Sequence, residues 1–468
     1  MARALPIQSD LSAKRKVALG IWAVFATYFL AMFFQNSINI AQPAQVAEFN
    51  GMDLFSWIIA LPALGAAVAT LMFGKLSDMY GRRLILLISL SIFLVGTILS
   101  AVSNSMGFAI ASRVVLMLGF GALMPMCFAV LGDLFEPAAR ARWSGLLNVP
   151  GGIAATIAPT LGGAITDSSV GWRGLFWLMV PIVLITGALV LAGIPGRKEK
   201  AEQRIDILGI IVMVIASATL IIGVSWLGDP DKLGIGVGLI VASVIAWAGF
   251  IAIENKAQAP ILDPQVLTNR VFFTAAFAGF TSFLGLLGVM IYSPVFAQEV
   301  MQVSPTISGS ILTPFSMLFA FMGVPAGFLL ARTKKYKWIY LLGYAILTVA
   351  MVIMWQFTAE TPIWLFVLAT AMVGFGNGVM PTVNTLVAQF CVPKRLLGAA
   401  TGAIFFVVMM GMAIAPAILG LAQNAAPDLE SGLKTIFLIG AIGMAVSLLL
   451  SITIPQIPIE MEVEDKQA

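Results

Sequence analysis

Long apolar stretches alternate with short charged segments from residue 16 onward. Bounding charges delimit fourteen such stretches, each with about the twenty residues that a helix needs to cross roughly 30 Å of hydrocarbon. Strands of a transmembrane barrel would be about half as long. The pattern therefore predicts an all-α transmembrane fold with fourteen spans. The stretches are 17–47, 54–74, 84–112, 114–132, 143–166, 174–196, 207–228, 233–253, 271–298, 300–331, 338–359, 361–393, 396–427 and 435–459.

Lysine and arginine are distributed unevenly between the two sets of loops. An even number of spans puts both termini on one side, and that side receives 22 of the 26 basic residues against three on the other. Because cytoplasmic loops carry the basic excess, both termini are predicted to be cytoplasmic. We expect an integral protein of the plasma membrane, in contact with the lipid bilayer. The remaining basic residue, Arg113, lies inside a span.

Two blocks of the sequence resemble each other. LGFGALMP at 118–125 recurs as VGFGNGVMP at 373–381, and IAP at 157–159 recurs at 414–416. Both blocks run through the membrane in the same direction, which predicts two parallel six-helix repeats with a substrate path between them.

The repeat leaves the spans at 207–228 and 233–253 outside both halves, as an inserted hairpin. The predicted organisation is a leader at 1–16, an N-terminal six-helix half at 17–196, a linker with two extra transmembrane helices at 197–270, a C-terminal six-helix half at 271–459 and a tail at 460–468.

Composition argues against several classes of function. The chain has 468 residues, 60% hydrophobic and 10% charged, with a mean hydropathy of +1.00 and no histidine, which excludes imidazole catalysis and imidazole metal sites. Its two cysteines, Cys127 and Cys391, are far apart in sequence. The chain carries neither a basic patch nor a phosphate-binding loop. We predict no enzyme activity, catalytic residue, metal or cofactor, and no nucleic acid or ATP as a partner.

The segment GKLSDMYGRR follows the second span. Gly74 and Gly81 permit a tight turn and a close helix approach. Arg82 and Arg83 can anchor the loop at an anionic leaflet, and Asp78 can face a helix N-terminus, where negative charge is favoured. The segment resembles the cytoplasmic signature of the major facilitator superfamily, Gly-x-Leu-x-Asp-Arg-x-Gly-Arg-Arg, with methionine in place of one arginine. The resemblance implies that these five residues latch one of two alternating conformations.

Other segments extend the resemblance over essentially the whole chain. SRVVLMLGFGALMP in the fourth span is similar to the family's second signature, with Arg113 as its intramembrane arginine. GGIAATIAPTLGG in the fifth span resembles the antiporter signature Gly-Pro-x-x-Gly-Gly. WRGLFWLMVP at 172–181 and the flanks of the extra hairpin resemble the fourteen-helix drug:proton antiporter subfamily. The residues of the fifth span that we expect to serve helix packing are Gly152, Pro159, Gly162 and Gly163.

Carboxamides occupy the first span, where the subfamily usually has an acidic residue and this chain has Phe34. The candidate cavity-lining amides are Gln35, Asn39, Gln42 and Gln45 in the first span and Asn377 and Asn384 in the twelfth. The first three share a narrow helix face, and the fourth lies at its edge. Amides in hydrocarbon need partners or water, so the stripe either lines the central cavity or joins helices by hydrogen bonds.

The resemblance favours a monomeric secondary active transporter that exports amphipathic or aromatic compounds by alternating access, driven by protons. An alternative is a uniporter or exchanger of an anionic amphipath, such as an organic acid or lipid-like molecule, with Arg113 as the anion's partner. A third interpretation makes Arg113 a structural residue satisfied by carbonyls and amides. The first span has no carboxylate that would serve as a deep proton carrier.

Overall fold

A computed structural model describes residues 11–51, 54–196, 206–228, 231–257, 260, 262, 266, 268–303 and 305–456. Within those ranges the chain forms helices and short connections and no strand. The helices are α1 (Leu11–Glu48), α2 (Phe55–Tyr80), α3 (Arg82–Ala101), α4 (Met106–Leu134), α5 (Pro137–Leu146), α6 (Asn148–Thr166), α7 (Arg173–Gly193), α8 (Ile207–Trp226), α9 (Leu233–Glu254), α10 (Arg270–Val295), α11 (Pro305–Phe321), α12 (Gly323–Thr333), α13 (Lys337–Trp355), α14 (Ile363–Phe390), α15 (Leu397–Asn424) and α16 (Leu429–Thr453).

Twelve helices in the described part of the chain are long and apolar enough to cross a membrane, where α5 and α6 count together. The pair α11 and α12 is bent by 40° at Met322 and brings the number to thirteen if it forms one span. The count falls short of the fourteen spans predicted from the sequence. The predicted stretch at 54–74 lies in α2, some of whose side chains are outside the described part of the structure, and it is not among the helices counted.

Polar side chains cap the start of several helices. The Ser105 hydroxyl accepts a hydrogen bond from the first turn of α4, and Asp206 accepts one from the first turn of α8. Asn269 and Asp428 do the same for α10 and α16. Each cap satisfies a backbone N–H that the helix itself leaves unpaired, so these four helices start at the polar residues between the apolar stretches.

Buried apolar side chains form two main clusters. One lies within α1 to α7, between Ala23 and Ile194. The other lies mainly between Met213 and Ile454 and includes a few residues of α2 and α5. Within the first group α1 packs on α4, α6 and α7, and within the second α10 packs on α14, α15 and α16. We call α1–α7 the N-terminal group and α10–α16 the C-terminal group.

The two groups meet along two close helix crossings, which we call the α2–α15 seam and the α5–α12 seam. A Cβ atom added to Gly74 would lie 3.0 Å from Gly402 Cα in the first seam. A Cβ atom added to Gly145 would lie 3.0 Å from Gly327 Cα in the second. Only glycine permits backbones to approach this closely. Both seams lie at the face of the bundle where α2 ends and α3 begins, which we call the basic face.

The inserted hairpin packs beside one of these seams. Helix α8 contacts both α2 and α15. On α9, Trp247 lies 5.8 Å from the Phe406 ring of α15. The hairpin therefore adds a further layer of helices on the outer side of the α2–α15 seam.

Candidate functional site

Arg113 is a buried cation without a carboxylate partner among the described residues. Its side chain is 4% exposed, Nη2 donates a hydrogen bond to Gln45 Oε1 at 2.8 Å, and the guanidinium carbon lies 5.5 Å from the centre of the Phe176 ring. Within the same described part, Arg113 Nε and Gln45 Nε2 have no hydrogen-bond partner. The positive charge is thus met by a neutral amide and an aromatic face, which leaves it able to attract an anion.

The amides of α1 divide between two environments. Gln42 and Gln45 are buried, whereas the half-buried Gln35 points its Nε2 at Met412 Sδ of α15, 4.0 Å away. The side chain of Asn39 lies outside the described part of the structure. Gln35 therefore reaches across from the N-terminal to the C-terminal group, while Gln45 serves Arg113 within its own group. That all four line one cavity stays a prediction.

Asn377 and Asn384 make separate local contacts in α14. Asn377 Nδ2 donates to the Val373 carbonyl of its own helix at 3.2 Å. Asn384 Nδ2 donates to the Tyr344 hydroxyl at 3.4 Å, and that hydroxyl lies 3.3 Å from Ser282 Oγ. Asn384 is therefore buried where α10, α13 and α14 meet, in a small polar cluster inside the C-terminal group.

Asp78 joins the two groups at the basic face. Its Oδ1 accepts a hydrogen bond from the Gly398 N–H at 3.0 Å, and its Oδ2 accepts one from the Ala399 N–H at 2.7 Å. These N–H groups belong to the first turn of α15, where the helix leaves its donors unpaired and the dipole favours an anion. The contact that the sequence predicted, between Asp78 and a helix N-terminus, is thus made with α15.

Arg82 holds this carboxylate from the other side. Its Nη2 lies 2.6 Å from Asp78 Oδ1, its Nε donates to Asp133 Oδ2 at 2.9 Å, and its Nη1 donates to Ser77 Oγ. Burial raises the pKa of Asp78 above its usual value, although the Arg82 charge and the two backbone N–H groups act in the opposite direction. The ionised pair is therefore held at a desolvation cost.

The remaining residues of the predicted latch have different roles. Gly81 has a φ of +91° and alone connects α2 to α3, a backbone conformation that favours glycine. Arg83 is half-buried, and its Nη1 faces Gly196, not Asp78. Asp133 was missed as a partner of Arg82. It is visible in the sequence as a carboxylate at the end of the fourth span, but spacing does not connect it to Arg82.

The predicted packing residues of the fifth span are not equivalent. A Cβ on Gly152 would lie 2.8 Å from the Phe321 ring of α11, so Gly152 packs between the two groups. A Cβ on Gly162 would meet Ser37 of α1 at 3.6 Å, an ordinary contact. At Gly163 a Cβ would meet no atom within 4 Å, so this glycine is not at a close helix contact. The side chain of Pro159 lies outside the described part.

A second polar network lies at the opposite face and was not predicted. Arg173 Nη1 lies 2.8 Å from Glu48 Oε1, its Nη2 donates to the Ser103 carbonyl at 2.8 Å, and Trp172 Nε1 donates to Glu48 Oε2 at 2.6 Å. Partial burial raises the pKa of Glu48, but hydrogen bonds from Arg173 and Trp172 outweigh it, so the pKa is below its usual value. The network fixes the end of α1 near Gln45.

A helical bundle of two groups that carries these signatures matches a known family. Residues 24–416 match the Major Facilitator Superfamily. The chain belongs to this superfamily. It is therefore an integral membrane transporter of a family that is typically non-enzymatic, as the sequence resemblance implied.

Relatives within the superfamily include transporters named for drug export. The multidrug transporter protein MdtP of Bacillus subtilis is 28% identical over 85% of this chain and 74% of its own. Multidrug resistance protein 3 of the same species is 29% identical over 83% and 77%. The human organic anion transporter MFSD10 superposes with a TM-score of 0.68 at 15% identity over 94% of this chain and 99% of its own. At that identity the match establishes the fold alone.

Proposed function

We propose that this transporter exports amphipathic or aromatic compounds by alternating access and that protons drive the export. The relatives named as multidrug transporters support this substrate class. Alternating access needs contacts between two bodies that form in one state and break in another. The Asp78 contact with the N-terminus of α15 has that character, because two hydrogen bonds from α15 to this carboxylate join the two groups. It is the observation on which the proposal rests.

The architecture that we propose has fourteen spans in two six-helix halves, at 17–196 and 271–459, with α8 and α9 as the inserted pair. Two features support the higher number. Helix α2 has 26 residues, a length of roughly 39 Å, and packs along α4 and α15 as a central span would. Helices α11 and α12 continue each other through a 40° bend. The excess of lysine and arginine supports a cytoplasmic basic face, both termini in the cytoplasm and a plasma-membrane location.

In this orientation the two seams close the cytoplasmic side of the bundle. Export then requires the Asp78 latch to open for substrate entry and to re-form for release. The amides of α1 and Arg113 lie beyond the latch toward the opposite face, where a substrate would meet them. We propose that a single copy of the chain performs the whole cycle.

Arg113 favours a second candidate, a uniporter or exchanger of an anionic amphipath. A buried guanidinium that is paired only with an amide remains a net positive charge in a low-dielectric region. An organic carboxylate or a phosphate could form a charge-assisted hydrogen bond with its free Nε. In the efflux proposal, by contrast, the Arg113 guanidinium contributes to the coupling of proton movement to export and does not bind a charged group of the substrate.

Transport in proteoliposomes separates the two proposals. The purified protein is reconstituted with an imposed pH gradient, and the fluxes of a lipophilic cationic dye and of an amphipathic organic anion are compared. Proton-coupled efflux predicts dye flux that collapses with the gradient. Flux of either compound that is indifferent to the gradient would remove proton coupling from the proposal.

Substitution of Arg113 then tests its role. The anion proposal predicts that Arg113→Gln abolishes anion flux and spares dye flux, while Arg113→Lys retains part of both. The matched control is Arg270→Gln, which removes an exposed arginine at the start of α10. Loss of dye flux with intact anion flux in Arg113→Gln would reverse the assignment.

A further inference from the structure

The two seams are built alike but differ in one charge. In the α2–α15 seam, Asp78 follows the close-contact Gly74 by four residues. In the α5–α12 seam the close-contact glycine is Gly327, and the residue four positions later is Ala331. The second seam therefore has a methyl group where the first has the carboxylate that closes it.

The opposing helices differ at the matching position as well. In α15, Ala399 precedes Gly402 by three residues and donates its N–H to Asp78. In α5, Arg142 precedes Gly145 by three residues. Because α5 already begins at Pro137, the backbone N–H of Arg142 lies inside the helix and is not one of the free donors of a first turn. The α5–α12 seam thus has the guanidinium of Arg142 at the position where the α2–α15 seam has the free backbone N–H of Ala399.

An open groove of about 500 Å³ lies beside Ala331, the residue that occupies the position corresponding to Asp78. Its lining consists of Arg142, Pro325, Phe328, Leu329, Ala331 and Arg332. The two arginines come from opposite groups, and each is exposed. Neither arginine has a hydrogen bond or ion pair among the described residues. Like charges on the two sides of one groove repel each other, so an anion between them would stabilise the closed seam.

We propose that the groove binds the phosphate group of an anionic phospholipid, which closes the α5–α12 seam as Asp78 closes the α2–α15 seam. One arginine guanidinium can donate hydrogen bonds to two oxygens of the same phosphate, and it is less strongly hydrated than the lysine ammonium. Both properties suit a site at the membrane surface. The groove also offers apolar surface beside the two charges: Phe328 is 45% exposed and Leu329 is 39% exposed. A lipid supplies both matching parts, since its phosphate meets the arginines and its acyl chain meets these side chains.

This site is separate from the substrate path and does not depend on the compound transported or on proton coupling. The lipid acts as an exchangeable counter-ion between the two groups. Membranes rich in anionic lipid then favour the conformation that is closed at the basic face.

Lipid retention tests the proposal without any transport assay. The full chain is placed in nanodiscs of phosphatidylcholine with phosphatidylglycerol, extracted, and analysed for bound lipid by native mass spectrometry. We expect Arg142→Gln and Arg332→Gln each to lower phosphatidylglycerol retention about fivefold, since one basic residue near the surface contributes about that factor. Arg270→Gln, which removes an exposed arginine outside the groove, is expected to retain lipid as the unmodified protein does.

A gain-of-charge variant sharpens the result. Ala331→Asp supplies a carboxylate beside Arg142 and should displace the lipid. We expect phosphatidylglycerol retention to fall, while the thermal unfolding midpoint in phosphatidylcholine alone stays the same or rises.

Unchanged retention in all three groove variants would overturn the proposal. So would equal competition by inorganic phosphate, which would identify a site for a soluble anion. A lower midpoint of Arg142→Gln in phosphatidylcholine alone would point to misfolding, and Arg332→Gln and Ala331→Asp then decide.

Discussion

Arg82 and Arg113 are two arginines buried almost equally, 8% and 4% exposed, in opposite electrostatic surroundings. Arg82 lies between the carboxylates of Asp78 and Asp133. Arg113 has a neutral amide and a phenyl ring as its neighbours. Two arginines of nearly equal burial therefore differ in charge balance: carboxylates offset the charge of Arg82, and no described carboxylate offsets the charge of Arg113.

The difference follows from what each arginine must do. A paired charge lowers the cost of burial and holds helices together, which suits a contact between two bodies. An unpaired charge in a membrane span is costly, which is why we propose that Arg113 interacts with a species that moves through the protein. Substitutions that break or restore each partnership test this contrast.

The largest effect is expected for Arg82→Gln. Removal of the guanidinium takes the Arg82 charge away from two carboxylates, of which Asp78 is buried, and we expect this to cost about 3–5 kcal/mol of unfolding free energy. Denaturant titration in mixed micelles measures the loss. Arg83→Gln is the matched control, because Arg83 does not contact Asp78, and should change stability by less than about 0.5 kcal/mol. Equal losses in the two variants would contradict the pairing.

A smaller effect is expected for Asp78→Asn. The substitution weakens the acceptor for the N–H groups of Gly398 and Ala399, but it also removes a carboxylate whose burial is costly. The latched conformation should therefore lose about 1–2 kcal/mol. Spin labels at positions 84 and 335, on opposite groups at the basic face, are expected to give a longer and broader distance distribution. Asp133→Asn controls for loss of a carboxylate that does not bond to α15.

Arg113→Gln is expected to leave stability nearly unchanged. The new amide can still donate to Gln45, and an uncompensated charge is removed, so the unfolding free energy should change by no more than about 1 kcal/mol. The same micelle titration that detects the loss in Arg82→Gln measures it. A loss as large as that of Arg82→Gln would mean that Arg113 is a structural residue and would erase the contrast between the two arginines.

The smallest effect concerns the ion pair of Glu48 and Arg173 at the opposite face. The lowered pKa of Glu48 means that its contribution is present above the usual glutamate pKa and is lost as the pH falls through the lowered value. Because both side chains are partly exposed, Glu48→Gln should cost only about 0.5 kcal/mol at pH 7. Stability curves of variant and parent should converge on acidification. A difference that persists at acidic pH would contradict the ion pair.

Much of the fold could be predicted from the sequence, because apolar runs of span length have few alternatives to a transmembrane helix. The bend at Met322 could not, since the stretch 300–331 is uncharged throughout. The stretch 54–74 forms part of the described helix α2 but is not among the twelve helices that qualify as candidate spans.

The candidate site was predictable only where a contact follows from local chemistry. An aspartate beside glycines and arginines is suited to a helix N-terminus, but its partner α15 begins more than 300 residues later. Asn377 and Asn384 share a helix face by spacing, yet their hydrogen-bond partners differ. Asn377 bonds to a carbonyl of its own helix, whereas Asn384 bonds to the Tyr344 hydroxyl of a neighbouring helix. Tertiary neighbours, not periodicity, decide such cases.

The position of α8 and α9 gives the molecule two unequal flanks. A compound dissolved in the bilayer that diffuses toward the α2–α15 side first meets this additional pair of helices, which contacts both α2 and α15. On the α5–α12 side it meets the exposed rings and alkyl chains of α12 at once. The α5–α12 seam is therefore the one that the surrounding lipid reaches directly, which suits a site for a phospholipid there and not for the transported compound.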